Sequence, residues 1–190
     1  LTDYSFFIEA IKKQVEEKKI DVIIMGTKGA TGLQKLIIGS NTADVLRKIH
    51  CLTLVIPENA KFTNLREIAF PTDFTLYYNL KTLDPISEIL EAYNATLRIL
   101  HIHAIGVKLN TDQQENLELL EDYFSENQYT FHFLTAKKVE DAVQCFVESR
   151  NINMIAMVAK NLNYFQKILF HSKVEEISYH TDIPFLVLHE

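Results

Sequence analysis

Apolar positions recur at helical spacing through residues 2–18. Phe6, Phe7, Ala10, Ile11 and Val15 form one stripe, and Lys12, Lys13, Glu16 and Glu17 lie off it. This predicts an amphipathic helix. An apolar run over 22–25 then stops at Gly26 and reads as a strand over 21–25. A short helical piece at 33–37 and a helix over 40–50 follow, and a β-rich run over 52–56 ends at Pro57. Residues 58–65 are polar and read as a linker.

From residue 67 onward, strands and helices alternate. Strands are predicted over 67–71, 96–103, 129–135, 152–158 and 184–188, and helices over 84–93, 112–127, 139–150 and 173–180. In the first of these helices Asp84 is the predicted N-cap, with Pro85 at the first helical position. In the second, Leu117, Leu120 and Phe124 are predicted to face inward. Alternation of this kind predicts an α/β fold with a parallel sheet and right-handed crossovers.

The pattern also repeats. Sliding the chain by 132 residues (25 to 157) places Met25 on Met157, Lys28 on Lys160, Gln34-Lys35 on Gln166-Lys167 and Ser40 on Ser172. It also places Leu54-Val55 on Leu186-Val187, with no gap from Ala10 on Ala142 onward. Residues 1–60 therefore read as the second half of a unit whose complete copy is 61–190. The chain begins inside a helix without Met, which suggests a fragment.

The first copy's loop carries the candidate chemistry. Gly26, Gly29 and Gly32 follow a strand, and Gly39-Ser40 opens the helix over 40–50. Glycines let a backbone approach a ligand, and a helix start offers unpaired N–H groups and a positive dipole end to an anion. The loop is not a P-loop, and it lacks the dinucleotide G-x-G-x-x-G order. Its spacing is G-x2-G-x9-G-S, through Gly26, Gly29, Gly39 and Ser40. That pattern resembles the nucleotide loop of the universal stress protein family, and residues 41–56, ending in CLTLVIP, look like the family's last helix and strand.

The resemblance implies a parallel five-stranded sheet with helices on both faces, of the adenine nucleotide alpha hydrolase-like kind, present as one complete and one partial copy. It also implies a non-enzymatic stress-response protein that binds ATP or a related adenine nucleotide through Met25, Gly26, Lys28, Gly29, Gly32, Gly39, Ser40 and Asn41. The final strands of such units commonly pair antiparallel, so a homodimer or an internal pseudo-dimer is expected. In the second copy Val158, Asn161, Tyr164 and His171 stand where the first has Gly26, Gly29, Gly32 and Gly39, and no cradle is expected there. Asp73 matches the family's first-strand aspartate, but beside a degenerate loop it is expected to order its own turn. The first copy's corresponding strand is not in this sequence.

Composition narrows the remaining readings. A net charge of −6 argues against a general nucleic-acid partner. The imbalance is local: residues 1–60 hold 8 basic and 7 acidic side chains, and the remainder 11 and 18. No run approaches the roughly 20 apolar residues of a membrane helix. Cys51 and Cys145 form no disulfide framework or metal motif, and both are expected to be buried thiols in a reducing cytoplasm. His101 and His103 share one face of a strand, a possible metal pair without a visible third ligand. His132, His171, His180 and His189 read as scattered surface or packing residues. The acidic run Asp112, Glu115, Glu118, Glu121 and Asp122 reads as a solvated face. Phe74, Tyr77 and Tyr78 could line a groove, although packing is the simpler role. No general base or metal-binding carboxylate can be assigned, so a slow ATPase is the remote alternative. The nearer one is a protein-interaction module without nucleotide.

Overall fold

The structure is a computed structural model that describes residues 4–27, 40–75, 79–104, 106–159 and 182–189. Its elements run α1 (Tyr4–Lys18), β1 (Val22–Gly26), α2 (Ser40–Lys48), β2 (Leu52–Ile56), β3 (Glu67–Pro71), α3 (Asp84–Tyr93), β4 (Thr96–His103), α4 (Thr111–Tyr123), β5 (Gln128–Thr135), α5 (Val139–Ser149), β6 (Met154–Val158) and β7 (Phe185–Leu188). The helical pieces expected at 33–37 and 173–180 lie outside the described residues.

One seven-stranded sheet has the order β1-β2-β7-β6-β3-β4-β5. The five strands from β3 to β7 are mutually parallel, as the alternating pattern predicted. β1 and β2 form a second parallel pair, and β2 joins β7 antiparallel. Positions 132 apart keep the same partners: Ile23 faces Thr53 as Ile155 faces Phe185, and Met25 faces Val55 as Met157 faces Val187. At the join Leu54 lies opposite Leu186, its own counterpart under that offset, so a local two-fold axis passes between them. The helix ends match too. Lys19 and Asn151 both turn through positive φ, of 50° and 51°. Each is followed by the same closing hydrogen bond, Ile20 N to Val15 O at 3.1 Å and Ile152 N to Val147 O at 3.0 Å.

Helices cover both faces of the sheet. α2 and α5 bury Leu46, Val143 and Phe146 against Val55, Ile155, Phe185 and Val187, and α3 and α4 bury Ile86, Leu90 and Leu120 against Ile68, Leu97, Met154 and Ala156. A smaller cluster sets Ile8 of α1, with Ile11 and Val15, against Val45, Ile49 and Cys51. That stripe leaves Phe6 68% and Phe7 37% exposed, and Ala10 exposed as well, whereas the sequence pattern placed all three inside. The inward face is centred on Ile8, Ile11 and Val15, at i, i+3 and i+7, and Phe6 falls off its edge.

Two further expectations are corrected. Asp84 is the first residue of α3 and not its cap, because a 3₁₀ turn over Leu80–Leu83 runs straight into the helix and is itself capped by Asn79. Burial first, and the Asp84 carboxylate that accepts from the Tyr123 hydroxyl at 2.6 Å second, raise the phenol's pKa above its ordinary value. Cys145 is exposed, because α5 turns Ala142, Val143, Phe146 and Val147 inward and Cys145 falls on the opposite side. Cys51 is buried as expected, where desolvation raises its pKa and its thiol donates to Ile20 O at 3.4 Å.

His189, just past β7, packs near His50 with ring centroids 5.8 Å apart, and its Nε2 is buried with no hydrogen-bond partner among the described residues. Burial first, and the charge of His50 second, push its pKa down from the ordinary 6.5 to about 4. An unfolded chain therefore takes up this proton near pH 6.5, while the folded chain resists until about pH 4. Stability is expected to fall across that window. The loss is at most about 3 kcal/mol, at roughly 1.36 kcal/mol per tenfold in proton affinity, and solvent screening lowers it. Urea melts at pH 7 and pH 4.5 check this, and His189→Asn should flatten the dependence.

Candidate functional site

Ligands of open α/β sheets sit beyond the carboxyl ends of parallel strands. Two such places exist here, one beyond β1 and β2 and one beyond β3 and β6.

At the first, β1 runs out at Gly26 and the chain is held by Thr27 N donating to Ile56 O at 3.2 Å. The buried Thr42, in the first turn of α2, donates its hydroxyl to Gly26 O at 2.8 Å. This bond pins the start of α2, and therefore Ser40 and Asn41, against the end of β1. The start of a nine-residue helix, its positive dipole end, thus lies beside the glycine at the strand terminus. Among the described residues, a Cβ built on Gly26 would meet nothing closer than Ile56 O at 3.9 Å, and its φ is not in the left-handed region. Neither the described packing nor the backbone conformation demands glycine there.

Of the residues the sequence singled out, Met25, Gly26, Ser40 and Asn41 come together at this end. The Met25 side chain packs toward the helices and not into the opening. Lys28, Gly29, Gly32 and Gly39 lie outside the described residues. Sequence reasoning missed Thr42. A threonine two residues after the helix's first serine was the available signal, because a short hydroxyl there can reach a neighbouring carbonyl.

The second place is filled. Asp73 Oδ1 accepts from the Thr75 amide at 3.1 Å and the Thr75 hydroxyl at 2.8 Å, an Asx turn of the kind expected from the sequence. Phe74 follows in a left-handed conformation, φ 57°, that a bulky residue adopts only when its surroundings hold it there. They do so at three points. Its N–H donates to Thr72 Oγ1 at 3.1 Å, its carbonyl accepts from Asn116 Nδ2 at 2.8 Å, and its fully buried ring stacks on His101 at 4.9 Å. Val158, opposite at the end of β6, is buried too. Tyr77, Tyr78, Asn161, Tyr164 and His171 lie outside the described residues.

His101 is committed to this packing. Its Nδ1 sits 3.0 Å from Thr72 O, and desolvation lowers its pKa. His103 pairs with Thr135 Oγ1 at 3.1 Å, and no group of three metal-binding side chains occurs among the described residues. Asn116 also escaped the sequence reading. It is almost fully buried, and its Oδ1 has no partner among the described residues. Asn116→Ala should cost about 1–3 kcal/mol in chemical denaturation, because it strands the Phe74 carbonyl.

With this geometry in hand, the relatives are informative. Residues 8–57 match the model of the universal stress protein family. Over 46 residues the chain is 44% identical to a universal stress protein of Methanocaldococcus jannaschii, a match spanning 24% of this chain and 27% of that protein. A universal stress protein structure from Archaeoglobus fulgidus overlays with a TM-score of 0.64 at 15% identity, covering 95% of this chain and 64% of that one. Another from the same organism, solved in complex with dAMP, overlays at 0.50 with 11% identity over 66% of this chain and 99% of its own. The chain thus spans about a quarter of the curated relative and under two thirds of the first of these structures. Among the described residues no helix is long and apolar enough to cross a membrane. Residues 8–57 carry the sequence of the universal stress protein family, and the chain as a whole has that family's fold.

Proposed function

We propose that this chain is a non-enzymatic, stress-response nucleotide-binding protein that holds ATP, or a related adenine nucleotide, by its phosphates in the loop from Gly26 to Ser40. The Thr42–Gly26 bond carries the reading, because it sets a helix start against an unfilled glycine at the end of a parallel strand. Lys28, Gly29, Gly32 and Gly39 are the remaining contacts we assign from the sequence, with Met25 and Asn41 contributing at either end. A dAMP complex of a universal stress protein with the same fold is consistent with an adenine nucleotide.

In this reading residues 1–60 are the latter half of one repeat and 61–190 a complete second repeat, joined as an internal pseudo-dimer across β2 and β7. The shared register of the β1–β2 and β6–β7 pairs supports it. In the same reading the second repeat binds no nucleotide, which the burial of Phe74 and Val158 at the ends of its strands supports. We place the protein in the cytoplasm, a setting with which two free thiols are consistent.

Amide NMR of the isotopically labelled chain tests the proposal. ATP and inorganic triphosphate should shift the signals of Gly26, Gly29 and Gly39, and adenosine should not. The signals of Asp73 and Val158 should stay fixed. Unmoved glycine signals at millimolar ATP would sink the reading.

A further inference from the structure

We propose that β5 is a self-association edge, along which two copies of this chain pair antiparallel, Tyr129 against Phe133 and Phe131 against its own copy. β5 closes the far end of the sheet from β1 and lies between α4 and α5 in the chain. Among the described residues no strand pairs with its outer side. Its register with β4 runs unbroken from Thr96↔Gln128 to His103↔Thr135, so no bulge twists the edge away. Exposed edges are ordinarily guarded by charge or proline as well. The strand QYTFHFLT carries no Lys, Arg, Asp, Glu or Pro. It is an unguarded edge, and an aromatic one.

Two properties fit the strand to its own copy. The first is backbone phase. Ala136 N donates to His103 O, so the even-numbered residues of β5 turn their N–H and C=O groups toward β4. Tyr129, Phe131 and Phe133 turn theirs outward, and their side chains share one face. The rings form a row, with centroids 5.7 Å apart from Tyr129 to Phe131 and 6.4 Å from Phe131 to Phe133. Phe74 backs the row, 6.3 Å from the Phe131 ring and 6.5 Å from that of Phe133. Tyr129 and Phe131 are half-buried, while Phe133 is 48% exposed. A two-fold axis at Phe131 makes every outward residue of the row a hydrogen-bonded partner of an aromatic one, and pairs of that kind stabilise antiparallel strands. The second property is charge. Glu126 precedes β5 and Lys137-Lys138 follow it, all three exposed. Antiparallel pairing brings the acidic end of each strand to the basic end of the other, whereas a parallel pair would set like beside like. The chain's own strand satisfies the backbone, the rings and the charges at once, which commits this edge to a second copy.

Hydrogen exchange and sedimentation of the full 190-residue chain, from about 10 µM to about 1 mM, test this. Sedimentation should show a monomer passing into a dimer. Over the same range the outward amides of 129, 131 and 133 should slow at least tenfold, while those of 130, 132 and 134, already bonded to β4, stay unchanged. Phe133→Lys, at a ring already half in water, should keep the chain monomeric without moving its thermal melt. Glu126→Lys should weaken the dimer, and adding Lys137→Glu and Lys138→Glu to it should restore the association. A monomer at about 1 mM would overturn the proposal, as would a Phe133→Lys chain that dimerises like its parent. So would a dimer whose outward β5 amides stay fast, because the contact would then lie elsewhere. None of these readouts involves nucleotide, so the outcome is separate from that of the binding loop.

Discussion

A Phe185→Ala chain is expected to unfold about 3–5 kcal/mol more easily than its parent, the range for emptying a buried aromatic site. Phe185 is fully buried in β7, between Val55 of β2 on one side and Ile155 of β6 on the other. The same buried cluster holds Ala43 and Leu46 of α2 and Ala142, Val143 and Phe146 of α5. The ring is thus part of the core shared by the strands of the antiparallel join and both helices. Its backbone-paired neighbours cannot slide in to close the cavity, so much of the cavity cost remains. Loss of packing at the join should also loosen β1 and β2 before the rest of the sheet. Chemical denaturation gives the total, and hydrogen exchange at 52–56 reports the local opening. Phe62→Ala, at a ring 88% exposed in the segment before β3, should move stability by no more than about 0.5 kcal/mol. Equal effects from the two variants would show that the join is not where the stability sits.

Gly26→Val should weaken ATP binding at least tenfold, about 1.4 kcal/mol, and leave the fold intact. Among the described residues the new side chain meets only Ile56 O, at 3.9 Å, and Val158, 132 residues on, already holds a valine at the end of β6. Valine also suits a strand terminus better than glycine does. A loss of affinity with an unchanged or raised melting temperature would therefore report a blocked approach and not a damaged strand. Thr42→Val should weaken binding as well, by releasing the start of α2 from Gly26 O. Calorimetry with ATP on the three chains measures both effects. Equal affinities would place the phosphate elsewhere.

Periodicity and repetition alone settled most of the element order. β2 and β3 fall where their β-rich runs end at Pro57 and Pro71, and the 132-residue repeat anticipated that β1 and β6 would hold matching places. Such features are local: a side-chain period and a turn residue act within a few positions, so they can be read from a single chain. The turn role of Asp73 was legible for the same reason, because an Asx turn closes within two residues.

What required the tertiary structure was everything set by a neighbour distant in sequence. The family resemblance suggested that the last strands pair, but only the fold put Leu54 opposite Leu186. The left-handed Phe74 depends on Asn116, 42 residues away, and on the His101 ring across β4. Asp84 lost its capping role to a preceding 3₁₀ turn and found Tyr123. Phe6 and Cys145 looked apolar enough to bury, but their exposure depends on where each helix stripe is centred against its own stretch of sheet. A hydrophobic pattern specifies which residues can be covered. Whether they are covered depends on what the fold sets beside them, which is why Ile24 of the edge strand β1 is 70% exposed while Ala156 of the inner strand β6 lies in the core.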